Sequence, residues 1–219
     1  MEKNTNKTKI AAIFLAHLNP LTLSHEKIID NLLLQNYKVY DFPVRFIKNQ
    51  KEVTTRSFPF SFEIRKQMIQ ESFEYNENVQ VLGDYAFVSP YVKYFSPFFP
   101  PPFLQLKKKI IFNVQEPAFI TYTGDRAERL LLQLFGFNPI QANRQVISST
   151  NVKNLLYRSA LDSETSSQSD NLKLEWDKFV SPKVHDIIRN NWGVVERFSN
   201  TDDKTIRIFG MKFPKDGFF

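Results

Sequence analysis

Apolar residues along this chain fall into two kinds of segment, short unbroken runs and longer stretches with helical spacing. The short runs, bounded by polar residues as buried strands are, cover residues 9–15, 37–44, 79–82 and 118–122. The stretches with apolar residues three and four positions apart cover residues 24–34, 62–73 and 126–135. Because strands alternate with helices, the pattern predicts an α/β fold with a parallel sheet flanked by helices.

Two segments interrupt this alternation, and the type of one further element within it is left open. Residues 89–103 contain five prolines and many aromatic side chains, which predicts an irregular loop or a lid over a site. Residues 162–171 are rich in Ser, Asp and Gln, which predicts a mobile loop. Residues 107–114 fit a helix or a strand equally well.

The length of 219 residues suits one sizeable domain. We expect this domain over residues 1–199, with a helical C-terminal part over residues 151–199. Residues 200–219 then form a tail, either a hairpin or an arm. The chain has no cysteine, which excludes disulfides and thiolate metal sites.

Composition also bears on location and partners. No run of eighteen apolar residues exists, and residues 1–9 lack the apolar core of a signal peptide, so we expect a cytoplasmic protein without a membrane span. The formal charge of +6 favours anionic partners, either nucleic acid or the phosphates of a nucleotide. Because the basic residues are scattered rather than massed in one tract, we do not expect nucleic-acid binding to be the main function.

Thr22 and His25 lie where the first predicted strand gives way to a helix. In open α/β sheets, ligands bind beyond the carboxyl ends of the strands, near helix N-termini. Residues three apart on a helix share a face, so both side chains can converge on one phosphate. A protonated or hydrogen-bond-donating imidazole there can stabilise the charge that grows on a leaving pyrophosphate. The alternative is that Thr22 only caps the helix and His25 merely begins it.

Three consecutive hydroxyl residues and a lysine mark a second predicted helix start, late in the chain. The hydroxyl residues Ser148, Ser149 and Thr150 precede a predicted helix over residues 151–158. They can simply cap that helix. They can equally wrap a terminal phosphate together with free backbone N–H groups, with Lys153 adding positive charge.

In this order, the two motifs resemble the signatures of the nucleotidylyltransferase superfamily, (H/T)-x-x-H after the first strand and I-S-S-T-x-(I/V)-(R/K) late in the domain. Residues 22–25 match the first and residues 147–153 match the second. Residues 19–25, Asn-Pro-Leu-Thr-Leu-Ser-His, are most similar to the nicotinamide mononucleotide (NMN) adenylyltransferases. Residues 58–65 resemble the N-P-F-T-x-x-E-R stretch of archaeal relatives, and residues 180–188 resemble the closing V-P-x-x-V-x-x-(Y/I)-I helix.

This resemblance implies a Rossmann-like fold of the nucleotidylyltransferase type. It also implies transfer of a nucleoside monophosphate, AMP from ATP, to a phosphorylated acceptor such as NMN, with release of pyrophosphate. An acceptor phosphate or phosphonate oxygen would attack the α-phosphorus. The alternative within the class is a cytidylyltransferase that activates a phosphorylated alcohol or phosphonate. The alternative outside it is a non-catalytic nucleotide- or RNA-binding protein of the same fold.

The resemblance also implies roles for individual residues. Thr22 and His25 would contact the triphosphate, and His25 would stabilise the transition state. The residues that would hold the β- and γ-phosphates are Ser148, Ser149, Thr150 and Lys153, with Lys153 also counted as catalytic. Because no carboxylate cluster is evident, Mg²⁺ would be held mainly by the nucleotide's phosphates and water.

The chain departs from the family pattern beside the first motif. Ala16 stands where a glycine usually lets the backbone approach the triphosphate, so a methyl group is expected to crowd the phosphate path. His17 follows it and is either an added phosphate donor or a solvated loop histidine. The tryptophan-bearing nicotinamide segment of the family is not recognisable, and residues 89–103 stand in its place. The acceptor is therefore left open.

Further candidates for binding the acceptor or the nucleotide follow the fourth predicted strand. Gly124 permits a tight turn, Asp125 can cap the next helix and Arg126 can bind a phosphate, in a position where α/β enzymes hold a base or a ribose. Capping and a surface ion pair are the alternative for these three residues. Arg65 and Arg144 are additional anion-binding candidates, and a solvated surface arginine is the alternative for each.

Overall fold

The computed structural model describes residues 10–95, 101–123, 129–130, 132–133, 136–137, 139–141, 148–165 and 175–219. The strands in these residues are β1 (Ala11–Ala16), β2 (Lys38–Pro43), β3 (Arg45–Lys48), β4 (Lys51–Glu52), β5 (Val79–Val81), β6 (Ala86–Val88), β7 (Phe119–Thr123), β8 (Pro139–Gln141), β9 (Thr205–Ile208) and β10 (Met211–Pro214). The helices are α1 (Leu23–Leu34), α2 (Phe62–Ser72), α3 (Pro101–Phe112), α4 (Ser149–Thr165), α5 (Pro182–Asn190) and α6 (Trp192–Ser199). Short 3₁₀ turns lie at Tyr91–Phe95 and Asp177–Phe179.

The main sheet has five strands in the order β5-β2-β1-β7-β8, and all its pairings are parallel. The order reverses between β1 and β7, whose carboxyl ends are at Ala16 and Thr123. The region beyond these two ends is called the crevice, after the ligand-binding crevice of open α/β sheets. Sheets of this kind bind ligands at that reversal point. The predicted Rossmann-like α/β fold is therefore confirmed.

The central strand β1 is buried on both faces. Ala12 and Phe14 belong to an apolar core shared with α1, α2 and the C-terminal helices. Ile13 and Leu15 point the other way, into a second core shared with α3 and the C-terminal hairpin. Burial on both sides explains why β1 reads as a continuous apolar run and not as an alternating one.

Two segments differ from the sequence prediction. The segment over residues 89–103, expected as a loop or lid, contains a 3₁₀ turn, and α3 begins within it at Pro101. Proline fits there because the first residues of a helix need no N–H donor. The ambiguous residues 107–112 are helical, with Ile110 buried. The predicted mobile loop at residue 162 is wrong in its first part, since α4 runs to Thr165.

Other predictions fall partly outside the described residues. Of the predicted helix over residues 126–135, residues 129–130 and 132–133 are described, and they are helical. Residues 166–174 are not among the described residues. No helix in the described ranges combines the length and apolar character that crossing a membrane requires.

The C-terminal tail is a hairpin and not an arm. Strands β9 and β10 pair antiparallel, and Met211, Phe213 and Phe218 are buried in the second core. A separate small sheet with the order β4-β3-β6 lies in the chain between β2 and α3. Its strands are two to four residues long, too short for the hydrophobic pattern to predict them. The boundary proposed at residue 199 stays a prediction.

Candidate functional site

The two motifs contact each other beyond the carboxyl end of β1. The Ser149 hydroxyl donates a hydrogen bond to the Pro20 carbonyl at 3.2 Å, across 129 residues of sequence. Lys153 Nζ donates to the Asn19 carbonyl at 3.0 Å, across 134 residues. The N-termini of α1 and α4 therefore lie close together, and each helix N-terminus carries positive partial charge.

The Thr22–His25 pair caps α1 and orients the imidazole. The Thr22 backbone N–H donates to His25 Nδ1 at 3.2 Å, and Thr22 Oγ1 lies 3.0 Å from the same nitrogen. Because a backbone N–H can only donate, Nδ1 is the acceptor, and the neutral imidazole carries its proton on Nε2. The alternative that Thr22 and His25 cap the helix therefore corresponds to a contact in the structure. It leaves Nε2–H as the donor that a phosphate oxygen can use.

The charge state of His25 follows from its surroundings. Burial lowers the pKa of His25 to about 4, and the Lys153 ammonium adds to the effect. The imidazole is therefore neutral near pH 7. Of the two forms considered from the sequence, the structure favours the neutral donor over the imidazolium.

Lys153 lies in the wall of the crevice with its ammonium group buried. Besides the Asn19 carbonyl, Nζ donates to the Ser57 carbonyl at 2.7 Å. Burial lowers the pKa of Lys153 to about 7, with smaller contributions from Lys212 and Arg65 in the same direction and from Asp203 in the opposite direction. Since this value lies near neutrality, a ligand that changes the local potential will change the charge of Lys153.

The hydroxyl residues of the second motif divide into different roles. Ser148 is the cap, since its Oγ accepts the Asn151 N–H at 3.2 Å. The helix begins at Ser149, two residues before the predicted start. Ser149 Oγ is directed to Pro20, whereas Thr150 is exposed. Contact of these hydroxyls with phosphate stays a prediction.

The side chain of Ala16 is buried. It is the last residue of β1 and is part of the first apolar core, together with Phe14 and Leu18. Its backbone carbonyl accepts the Val44 N–H at 3.0 Å. The methyl group therefore packs in this core, and its effect on the phosphate path stays a prediction.

His17 is not a solvated loop histidine. Its ring stacks on Phe58 with centroids 4.7 Å apart, and its buried Nδ1 has no hydrogen-bond partner among the described residues. Burial lowers the pKa of His17 to about 3, with Lys153, Arg65 and Lys212 contributing. The ring is therefore neutral, and any role with phosphate would use an N–H donor.

Arg65 is not a solvated surface arginine either. Its side chain is 2% exposed and pairs with Glu52 at 2.8 Å. Nη1 donates to the His17 carbonyl at 2.8 Å and to the Val44 carbonyl at 2.9 Å. Burial lowers the pKa of Arg65 to about 10, while Glu52 opposes that change. These contacts hold the loop after β1 in place. Because protein groups occupy the Arg65 guanidinium, they give no support to the prediction that Arg65 binds an anion.

Several predicted residues lie outside the described residues, namely Gly124, Asp125, Arg126 and Arg144. Their roles stay predictions. The described strand β7 ends at Thr123, so the first three do follow a strand of the main sheet, as expected.

Four residues at the site had no role assigned from the sequence: Asn19, Ser57, Asp203 and Lys212. The Asn19 amide donates to the Phe60 carbonyl at 2.8 Å and accepts the Phe60 N–H at 3.2 Å, which joins the two loops that flank the crevice. In the sequence, the position of Asn19 directly before Pro20 in the first motif could have indicated that it has a role at the site. Asp203 and Lys212 are on the C-terminal hairpin, and no sequence pattern connects them with residues near the N-terminus.

The described side chains at the site can also be judged as ligands for a metal ion. Within the described ranges, no three His, Asp or Glu side chains are grouped closely enough to hold a metal. The polar groups that line the crevice are hydroxyls, neutral imidazoles and an ammonium group, which are poor ligands for Mg²⁺. That Mg²⁺ is held mainly by the phosphate oxygens of a nucleotide and by water stays a prediction.

Several solved structures are similar to this chain. The bifunctional NMN adenylyltransferase/ADP ribose pyrophosphatase from Francisella tularensis superposes with a TM-score of 0.50 at 16% identity, covering 90% of this chain and 58% of that chain. Its complex with AMP and a manganese ion gives 0.49 at 16% identity, covering 86% and 54%. The nicotinic acid mononucleotide adenylyltransferase of Plasmodium falciparum, complexed with NaAD, gives 0.45 at 16% identity, covering 84% and 96%.

This chain thus spans little more than half the length of the Francisella chain. No protein-family model matches the sequence, and no curated protein matches it. At this identity the likeness establishes the fold. The fold is the Rossmann-like α/β fold of the nucleotidylyltransferases, as the resemblance of the two motifs implied.

Proposed function

We propose that this protein is a nucleotidylyltransferase that transfers AMP from ATP to a phosphorylated acceptor such as NMN and releases pyrophosphate. The observation that carries the proposal is the contact of Ser149 and Lys153 with the Asn19–Pro20 peptide. This contact joins the two motifs and brings two helix N-termini, an imidazole and a lysine to one crevice. Such a crevice suits a polyphosphate.

In the proposed reaction, an acceptor phosphate oxygen attacks the α-phosphorus, and the bond from that phosphorus to the bridging oxygen breaks. The pyrophosphate leaves with the electron pair of that bond. The N-termini of α1 and α4, with Lys153, hold the β- and γ-phosphates, and His25 Nε2–H donates to an oxygen on which charge grows. Mg²⁺, held by the phosphates and water, would neutralise part of their charge. The protein supplies position and electrostatic stabilisation, as in phosphoryl transfer generally.

A screen of four nucleoside triphosphates for pyrophosphate release tests this function. Each triphosphate is combined with NMN, a phosphorylated alcohol and a phosphonate, and we expect release with ATP and NMN. Release only with CTP and a phosphorylated alcohol would reassign the protein to the cytidylyltransferases. No release in any combination, together with tight and steeply salt-dependent binding of single-stranded RNA, would favour the non-catalytic alternative.

We expect triphosphate affinity to fall as pH rises above 7. A bound polyanion raises the pKa of Lys153 from its value of about 7 in the free protein. The favourable interaction is therefore fully present below pH 7 and is lost as pH rises through the higher pKa of the bound state. Between pH 7.5 and 9, where the terminal phosphate is already ionised, the affinity should fall about tenfold, with uptake of up to one proton on binding.

Isothermal titration calorimetry with a non-hydrolysable ATP analogue, in buffers of different ionisation enthalpy, measures this uptake. Lys153→Met should abolish it. The exposed Lys183 lies on α5, and Lys183→Met should leave it unchanged. Equal proton uptake by wild type and Lys153→Met would contradict the assignment of Lys153 to the triphosphate.

A further inference from the structure

The C-terminal hairpin reaches Ser57, the residue whose carbonyl holds Lys153. Lys212 Nζ donates to the Ser57 hydroxyl at 2.6 Å and to Asp203 Oδ2 at 2.7 Å. The Ser57 hydroxyl in turn donates to Asp203 Oδ2 at 2.8 Å. Lys153 Nζ donates to the Ser57 carbonyl at 2.7 Å. One serine therefore connects a charged pair on the hairpin with the lysine of the crevice.

The packing of the hairpin directs Lys212 toward this serine. Met211 and Phe213 are buried in the second core, and alternate residues of a strand point to opposite faces. Lys212 lies between them and is 29% exposed. Burial alone would raise the pKa of Asp203, but hydrogen bonds from Lys212 and Ser57 bring it below its ordinary value. Asp203 is thus ionised near neutrality and pairs with the Lys212 ammonium.

We propose that Lys212 and Asp203 are positioning residues of the nucleotide site, which hold Ser57 in place and set the charge of Lys153. The consequence for triphosphate binding rests on the proposed function. The coupling among these side chains does not. The hairpin, which the sequence separates from both motifs, is on this inference a functional part of the crevice.

The direction of each coupling follows from charge. The Lys212 ammonium disfavours a second positive charge at Lys153, and the Asp203 carboxylate favours it. Arg65 adds repulsion, whereas His17 and His25 are neutral near pH 7. Removal of the Lys212 charge should therefore raise the pKa of Lys153, and removal of the Asp203 charge should lower it. Effects of opposite sign cannot come from a general loss of structure.

The pH titration of Lys153 in the free protein tests the inference. NMR of isotope-labelled lysine side chains measures its midpoint, with the signal assigned by its absence in Lys153→Met. We expect Lys212→Met to raise the midpoint by about one pH unit and Asp203→Asn to lower it. Lys212→Arg, which keeps the charge, should leave it near the wild-type value. Lys215 is exposed on the same hairpin, so Lys215→Met serves as the matched control.

The pH dependence of binding provides the second measurement. In Lys212→Met, the pH at which affinity for the ATP analogue declines should move upward by the same amount as the Lys153 midpoint. An unchanged Lys153 midpoint in folded Lys212→Met and Asp203→Asn overturns the inference, even in an active nucleotidylyltransferase. A shifted midpoint in a protein that binds no triphosphate keeps the coupling and refutes the proposed function instead.

Discussion

Replacement of His25 by alanine is expected to lower kcat by about 10² to 10³. The affinity for the triphosphate should stay within roughly tenfold of wild type, because the main contribution of the imidazole comes in the transition state. The structural reason is that His25 Nδ1 is occupied by the Thr22 N–H, which directs the proton-bearing Nε2 away from the cap. Steady-state kinetics and equilibrium binding of the ATP analogue measure the two effects separately.

A second substitution distinguishes catalysis from capping. In His25→Asn, the amide oxygen can take the place of Nδ1 as acceptor of the Thr22 N–H, but the Nε2–H donor is lost. We expect this variant to regain helix stability and not to regain turnover. If His25→Asn restored kcat to the wild-type value, His25 would be a capping residue only, and the mechanism proposed for it would be wrong.

Removal of the Glu52 carboxylate is expected to destabilise the fold by about 3 kcal/mol. Oε1 of Glu52 pairs with Arg65 at 2.8 Å, and Oε2 accepts the Phe62 N–H at the start of α2 at 2.7 Å. Glu52→Ala therefore leaves the buried Arg65 charge without its counterion and removes a helix cap at the same time. Urea unfolding followed by circular dichroism measures the change in the free energy of unfolding.

Glu63→Ala is the matched control for this change. Glu63 is exposed and lies in the first turn of the same helix. Its loss removes an interaction with the helix dipole alone, which is worth less than about 1 kcal/mol. Similar free energies of unfolding for Glu52→Ala and Glu63→Ala would show that the buried ion pair contributes nothing beyond the dipole.

Most helices and strands of the main sheet could be predicted from the sequence because the spacing of apolar residues along the chain reflects which side of each element is buried. The apolar run at β1 and the helical spacing of residues 24–34 each depend on near neighbours only, and the structure has β1 and α1 at those places. Small errors occurred at the ends of elements, such as the start of α4, where a hydroxyl can be cap or first-turn residue with little difference in energy. The short strands β3, β4 and β6 carried too few residues for a pattern.

The site was predictable in part. The motifs named Thr22, His25 and Lys153. The structure shows Thr22 in contact with His25, and Lys153 in contact with Asn19 of the first motif, while their roles with a nucleotide stay predictions. Sequence alone left Arg65 as either an anion-binding or a solvated residue, and the structure shows a buried pair with Glu52. That outcome depended on two loops meeting, which no local pattern encodes.

By itself, the sequence determined the class of fold, the place of the first strand and helix, and the two motifs that hold phosphate in the resembling family. Only the tertiary structure decided that those motifs touch, that His25 is neutral, and that Lys153 titrates near pH 7 beside Lys212 and Asp203. The physical reason is the range of the forces involved. Periodicity depends on residues three or four positions apart, whereas desolvation and charge interactions depend on groups that meet in space, such as Ser57 and Lys212 across 155 residues of chain.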